Sequence, residues 1–213
     1  MTTQELGICW VDFAILILIL VGVVRGRKRG MSQELLDIIK WGLIVVVAGF
    51  AYLPLGQLLA QTNVLNPLLS YLAVYTAVAL IIFITFAFIR GQVGEKLMVA
   101  DKFGDGEYYL GMVAGAFRYT CVIIVAMAFL NARYYTPAEL AKAQKAQLDA
   151  LGSDFFPSWG DLQQEVFHNS AVGRFTKETI PVLLIKPTGF DGKSPDAEKK
   201  PEKSAPARRE RKP

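Results

Sequence analysis

The stretch WVDFAILILILVGVVRGRKRGMSQELLDIIKWGLIVVVAGFAY, residues 10–52, decides the fold. Its first apolar run, Ile8 to Val24, has 17 residues and one charge, Asp12; its second, Ile38 to Leu55, has 18 residues and one charge, Lys40. As helices rising ~1.5 Å per residue, each is roughly 25 Å long, close to the ~30 Å hydrocarbon core of a bilayer once flanking side chains reach for the headgroups. Between them, Arg25-Gly-Arg-Lys-Arg-Gly30 places four cations in five residues. So basic a short loop stays in the cytoplasm. The stretch reads as a membrane hairpin with a cytoplasmic elbow.

Two more apolar runs follow: Leu68 to Ile89, 22 residues without a charge, and Leu110 to Leu130, interrupted by Arg118. Pro54 to Pro67, uncharged and carrying Gln57, Gln61, Asn63 and Asn66, reads as an outer loop, and Arg90 to Tyr109 as a flexible inner loop. The acidic cluster Asp101 to Glu107 lacks the alternating oxygen ligands of a calcium loop. Lys and Arg number five in the first loop and three in the third, with none in the second loop or the N-terminus. Both termini are therefore expected outside the cytoplasm. The predicted fold is an all-α integral membrane protein with four transmembrane helices in two hairpins, near 8–24, 38–55, 68–89 and 110–130, within a domain of residues 1–132.

At 213 residues, 53% hydrophobic and 20% charged, the chain is too apolar for a typical soluble domain and too charged to lie wholly in lipid. The net charge of +4 sits in the tail, where Lys186 to Pro213 holds nine Lys or Arg against five Asp or Glu. Without interleaved aromatics, this tail (186–213) reads as disordered and solvated, not as a nucleic-acid surface. Cys9 and Cys121 belong to different depths, which disfavours a disulfide. The N-terminus lacks the basic residues and cleavage site of a signal peptide, so the first helix is expected to persist.

Residues 133–185 form an outer segment with two expected short helices. Thr136-Pro-Ala-Glu139 is a capping box opening a helix from Pro137 to Leu151, closed by Gly152; Ser158 and Asp161 cap a second. Phe155, Phe156 and Trp159 are expected to hold the segment to the membrane surface or to the outer loop. Pro181 to Ile185 is too short to span, and order is expected to fade after Lys186.

No catalytic spacing is present: no G-x-S-x-G, H-E-x-x-H, Walker loop or C-x-x-C, and a single histidine, His168. No enzyme, cofactor or metal site is therefore expected. The informative residues are charges in or beside membrane runs, which normally face a bundle interior, a cavity or the interface. Gly111, Gly115, Arg118 and Val122 share one helical face, and Gly111-x-x-x-Gly115 is a close-packing signature. The second helix is expected against that face, with Arg118 paired to Glu34 or Asp37. Asp12 is expected to be wet or to cap its own helix, and Lys40 to snorkel.

Trp10-Val-Asp12, Arg29-Gly30, Glu34 and Trp41-Gly42 together resemble the colicin V production protein family, with W-x-D, R-G-x-x-x-E and W-G in order and spacing. Leu110-Gly-x-x-x-Gly115-x-x-Arg118 extends the match, although Tyr119 and Glu107-Tyr108 depart from the family's Arg-Gly and Asp-Arg. The resemblance implies a bacterial inner-membrane protein needed to produce or export a peptide toxin, with a wider part in envelope homeostasis. It marks Asp12, Arg29, Glu34 and Arg118 as polar positions, Gly30, Gly42, Gly111 and Gly115 as packing positions, and Trp10 and Trp41 as interface anchors. Expected partners are the bilayer and a transport or secretion component; the sequence is also compatible with a homo-oligomer. Two roles stand open: a transport accessory using Asp12, Glu34 and Arg118, or an anchor recruiting envelope partners through its outer segment.

Changing Arg25, Arg27, Lys28 and Arg29 to Gln leaves Lys40 alone in the first loop and should give mixed or inverted insertion. A reporter active only in the cytoplasm, fused after Leu151, should be silent on the unaltered chain and turn on in the variant.

Overall fold

The structure, a computed structural model, describes residues 9–99, 106–152 and 158–189. Asp101, Asp105, Phe155, Phe156 and the tail from Phe190 lie outside the described residues, and with them the expectations of an acidic loop and a disordered tail. Helix α1 (Trp10–Arg29) is separated from α2 (Met31–Leu43) by Gly30 alone. Gly30 has φ 76° and ψ 167°, a backbone open essentially to glycine. The basic elbow is thus helix, not loop. Arg and Lys are good helix formers, and Arg27, Lys28 and Arg29 lie in the last turn, beside the negative end of the helix dipole.

Helix α2 continues through a π-helical turn, Ile44–Ala48, into α3 (Gly49–Gln61), an apolar run of 31 residues. The expected loop from Pro54 is therefore helix as far as Gln61, and only residues 62–66 turn the chain. Pro54 costs one main-chain hydrogen bond, but two residues on, Gly56 lets the Tyr71 ring lie so close that a Cβ would strike it, which holds α3 to α4. Helix α4 (Pro67–Val99) runs past Arg90, where a stop was expected. The Arg90 side chain stays exposed, and its guanidinium lies 3.6 Å from the Asp37 carboxylate, so its charge is met without ending the helix. Helix α5 (Glu107–Ala132) lies where expected.

Three helical runs are long and apolar enough to cross a membrane: Met31–Gln61, Pro67–Gln92 and Glu107–Ala132. The chain is a multi-pass membrane protein of helices. Helix α1 carries only twelve uncharged residues between Asp12 and Arg25, about 18 Å. Large apolar side chains face outward, among them Ile17 and Leu20 on α1 and Ile81, Ile84 and Phe88 on α4.

The pairing differs from two sequential hairpins. Helix α1 packs chiefly along α5, α3 along α4, and α2 lies against both α5 and α4. Glycines explain why the Gly111 and Gly115 face meets α1 and not α2, as expected from sequence. Gly22 and Gly26 oppose Gly115 and Gly111 in antiparallel register, and a Cβ on Gly26 would fall on the Gly111 carbonyl oxygen. Gly42 is different: a Cβ there would meet only the Phe117 ring at 3.8 Å, ordinary contact, so its expected packing role is corrected.

The outer segment holds more helix than expected. Helix α6 (Pro137–Leu151) and α7 (Trp159–Gln164) carry the expected capping boxes at Thr136 and Ser158. A π-helical turn, Glu165–Asn169, then leads to α8 (Ala171–Thr179), capped by Ser170, and to a 3-10 turn, Pro181–Leu183. Leu184 and Ile185 are fully buried, and Val166, Phe167, Leu184 and Ile185 join one apolar cluster with Ile15, Ala48, Tyr52, Tyr75 and Met127. Order does not fade at Lys186: Thr188 accepts from the Tyr134 amide at 3.2 Å and donates its own amide to the Ala132 carbonyl at 2.9 Å.

Gly26→Val should destabilise the bundle by at least ~2 kcal/mol, because neither helix backbone can withdraw without opening the α1–α5 contact. Gly42→Ala should be neutral or stabilising by up to about 1 kcal/mol through helix propensity. Thermal unfolding of both variants in one detergent checks the contrast.

Candidate functional site

Each of the four long helical runs sends charge to one place. Glu34 and Asp37, three residues apart, share a face of α2, and Glu34 has no exposed surface. The Arg118 guanidinium on α5 lies 2.8 Å from Glu34 Oε2 and donates to Asp37 Oδ2 at 3.2 Å. Arg29, at the end of α1, lies 3.5 Å from Glu34 and 3.6 Å from Asp37. Lys40 pairs with Asp37 at 2.8 Å, and Arg90 on α4 is 3.6 Å from the same carboxylate. Arg118 therefore meets both acids named as alternatives. Lys40 does not snorkel away: it stays on Asp37, with its ammonium 4.9 Å from the centroid of the Phe83 ring.

The hydrogen bonding within the cluster is uneven. The directed N–H of Arg118 goes to Asp37, and neither Glu34 oxygen accepts a well-aligned hydrogen bond, although Oε2 is within ion-pair distance. Glu34 is held by proximity of charge. Two carboxylates face four cations, an arrangement that satisfies buried carboxylates only while the helices keep their places. Glu107, not marked from sequence, sits beside it: its carboxylate accepts from the Ser32 amide at 3.4 Å and lies where a Cβ on Gly30 would point. A carboxylate at the first turn of α2 complements that helix's dipole.

Asp12 belongs elsewhere. At the other end of α1 its carboxylate accepts from the Ser170 hydroxyl at 2.6 Å, the Val172 amide at 3.1 Å and the Ala171 amide at 3.2 Å, and also from the Cys9 amide at 2.9 Å. It caps its own helix, as expected, and the start of α8 as well. The Cys9 thiol donates to Glu165 at 2.8 Å. The Tyr52 hydroxyl donates to the Leu184 carbonyl at 3.0 Å and accepts from the Lys186 amide at 3.1 Å. The Asn131 amide donates to the Ile185 carbonyl at 2.9 Å, and Gln163 donates to the Leu130 and Arg133 carbonyls. These polar atoms close the exposed main chain of the outer segment onto the helix ends.

Of the marked residues, Arg29, Glu34 and Arg118 thus come together with Asp37, Lys40 and Arg90, and Asp12 does not join them. Trp10 is well exposed beside an apolar crevice between α1 and α5, of about 440 Å³, roofed by Trp159 and Leu162; Trp41 is half-buried beside Lys40. Among the described residues no group of three or more His, Cys, Asp or Glu is placed to hold a metal ion.

The family model described as colicin V production protein matches residues 11–149, and the chain belongs to that family. No curated protein and no solved structure matches it.

Arg118→Leu leaves Glu34 with Arg29 alone and should cost about 3–5 kcal/mol, the penalty of a buried charge that loses its partner. Adding Glu34→Leu should restore part of that loss. Unfolding of the two single variants and the double in detergent gives the coupling, and additive losses would refute the pair.

Proposed function

We propose that this member of the colicin V production family is a non-enzymatic accessory of the bacterial inner membrane, acting in production or export of a peptide toxin and in envelope homeostasis. In this reading α1 is the fourth span, because it lies antiparallel along α5 and the charge of Asp12 is met by hydrogen bonds at its end. Both termini are periplasmic, so the outer segment faces the periplasm. Its partners are the lipid bilayer and a transport or secretion component.

The observation that carries the mode of action is the separation of the polar groups into two layers. Glu34, Asp37 and Arg118 lie at one end and Asp12, Tyr52 and Asn131 at the other, with Ile15, Ile44, Val45, Ala48, Cys121 and Ile123 buried between them. A path through the single chain would need Asp12, Glu34 and Arg118 to line one cavity. Their placement instead supports an anchor: the inner layer ties the helices, and the outer layer presents the periplasmic segment in a fixed orientation to a partner.

The test uses a toxin-producing strain carrying Asp12→Asn with Ser170→Ala, which loosens α8 while leaving the inner cluster intact. Toxin in the medium should fall several-fold with membrane levels of the protein maintained, and growth under detergent challenge should fall in parallel. Crosslinking from native membranes should lose the partner in the same variant. Normal toxin output from it, or full loss from Arg118→Lys with the outer segment still fastened, would overturn the anchor reading.

A further inference from the structure

We propose that the unpaired cations of the α1 end, with the apolar grooves running from them, form a binding site for an anionic glycerophospholipid. Of the four basic residues there, only Arg29 is drawn into the buried cluster. Arg25, Arg27 and Lys28 are exposed, and among the described residues none has a carboxylate within 4.0 Å. Helix α1 turns its glycines into α5, so these three cations project around its other sides.

Two grooves begin at these cations. One, of about 610 Å³, runs along α1 over Ile17, Leu20, Val21 and Val24 and ends at Arg25 and Lys28, with Arg29 at its edge. The other, of about 670 Å³, lies between α1 and α5 over Val23, Val24 and Met112 and ends at Arg27, Lys28, Tyr108 and Tyr109. Val24 and Lys28, one helical turn apart, line both, so the grooves flank one ridge with Lys28 at its polar end.

That shape matches a lipid with two chains: one acyl chain on each side of Val24, and the phosphate at Lys28 between Arg25 and Arg27. The polarity runs the right way, with apolar walls toward the middle of the bilayer and cations at headgroup depth. A zwitterionic headgroup brings its own cation and gains less from three unpaired positive charges, so the site selects net negative charge. A free phosphate would use the cations and leave the grooves idle. The cluster behind them, four cations on two carboxylates with Glu107 beside it, still carries more positive than negative charge. The site depends on neither the toxin role nor the orientation of the chain.

The full chain, purified in dodecyl maltoside, would be titrated with dioleoyl-phosphatidylglycerol and separately with dioleoyl-phosphatidylcholine, with bound lipid read by native mass spectrometry. The glycerol lipid should be retained about tenfold more strongly than the choline lipid. Arg27→Gln with Lys28→Gln should reduce its retention on the order of tenfold. Val24→Trp, which fills both grooves and changes no charge, should reduce it comparably. Equal retention of the two lipids by the unaltered protein would overturn the site. So would full retention in Val24→Trp, or displacement of the lipid by glycerol 3-phosphate, since either means a bare anion site. Should the charge variant fail to fold by circular dichroism, the headgroup comparison and Val24→Trp decide.

Discussion

A carboxylate with no exposed surface inside an apolar bundle is the constraint on which the rest depends. Glu34 in that position carries a desolvation cost of several kcal/mol unless cations are brought to it. Arg118 and Arg29 supply them from α5 and α1, and Asp37 on the next turn gathers Lys40 and Arg90. Each long-range pair fixes a register: α5 against α2 at Arg118, α1 against α2 at Arg29, α4 against α2 at Arg90. Apolar side chains alone slide past one another in lipid with little penalty, because lipid tails are as apolar as leucine. Charge is what makes one arrangement preferred.

Close approach of backbones is the second condition, and it is met by glycine. Gly22, Gly26, Gly111 and Gly115 bring α1 and α5 nearer than any Cβ would allow. That approach places Arg29 beside α2 across the single-residue turn at Gly30 and leaves Arg25, Arg27 and Lys28 outside. One short basic run is thereby divided between two duties, one cation holding helices together and three meeting what surrounds them. The π-helical turn at Ile44–Ala48 and Gly49 do comparable work in α2–α3, giving room for Leu183 of the outer segment to lie against the helix.

At the other end the governing problem is the main chain. Irregular backbone beside a membrane is tolerated only where its N–H and C=O groups find partners. Asp12, Tyr52 and Asn131 supply them from the bundle, Gln163 of the segment in turn closes the carbonyls of Leu130 and Arg133, and Leu184 and Ile185 bury their side chains in the same cluster as Ile15 and Met127. The outer segment is therefore continuous with the core of the bundle.

By itself the sequence determined whatever rests on neighbours along the chain. The apolar runs, the capping boxes at Thr136 and Ser158, the packing signature at Gly111 and Gly115, and the need of Arg118 for an acid on the second helix were all legible, because hydrophobic length and three- or four-residue spacing are local. Helix ends were not: Arg25 to Arg29, Pro54 to Gln61 and Arg90 to Val99 carry charges or a proline that normally close a span, yet the helix continues, by propensity and dipole in the first and by tertiary contacts at Gly56 and Arg90 in the others. Only the tertiary structure decided that α1, not α2, meets the glycine face, and that Asp12 fastens a segment 158 residues away. It also decided that Glu34 and Asp37 share one arginine 81 residues beyond Asp37. Such pairings depend on which faces come together once every helix is packed, and a pattern read along one chain holds periodicity but not the partner.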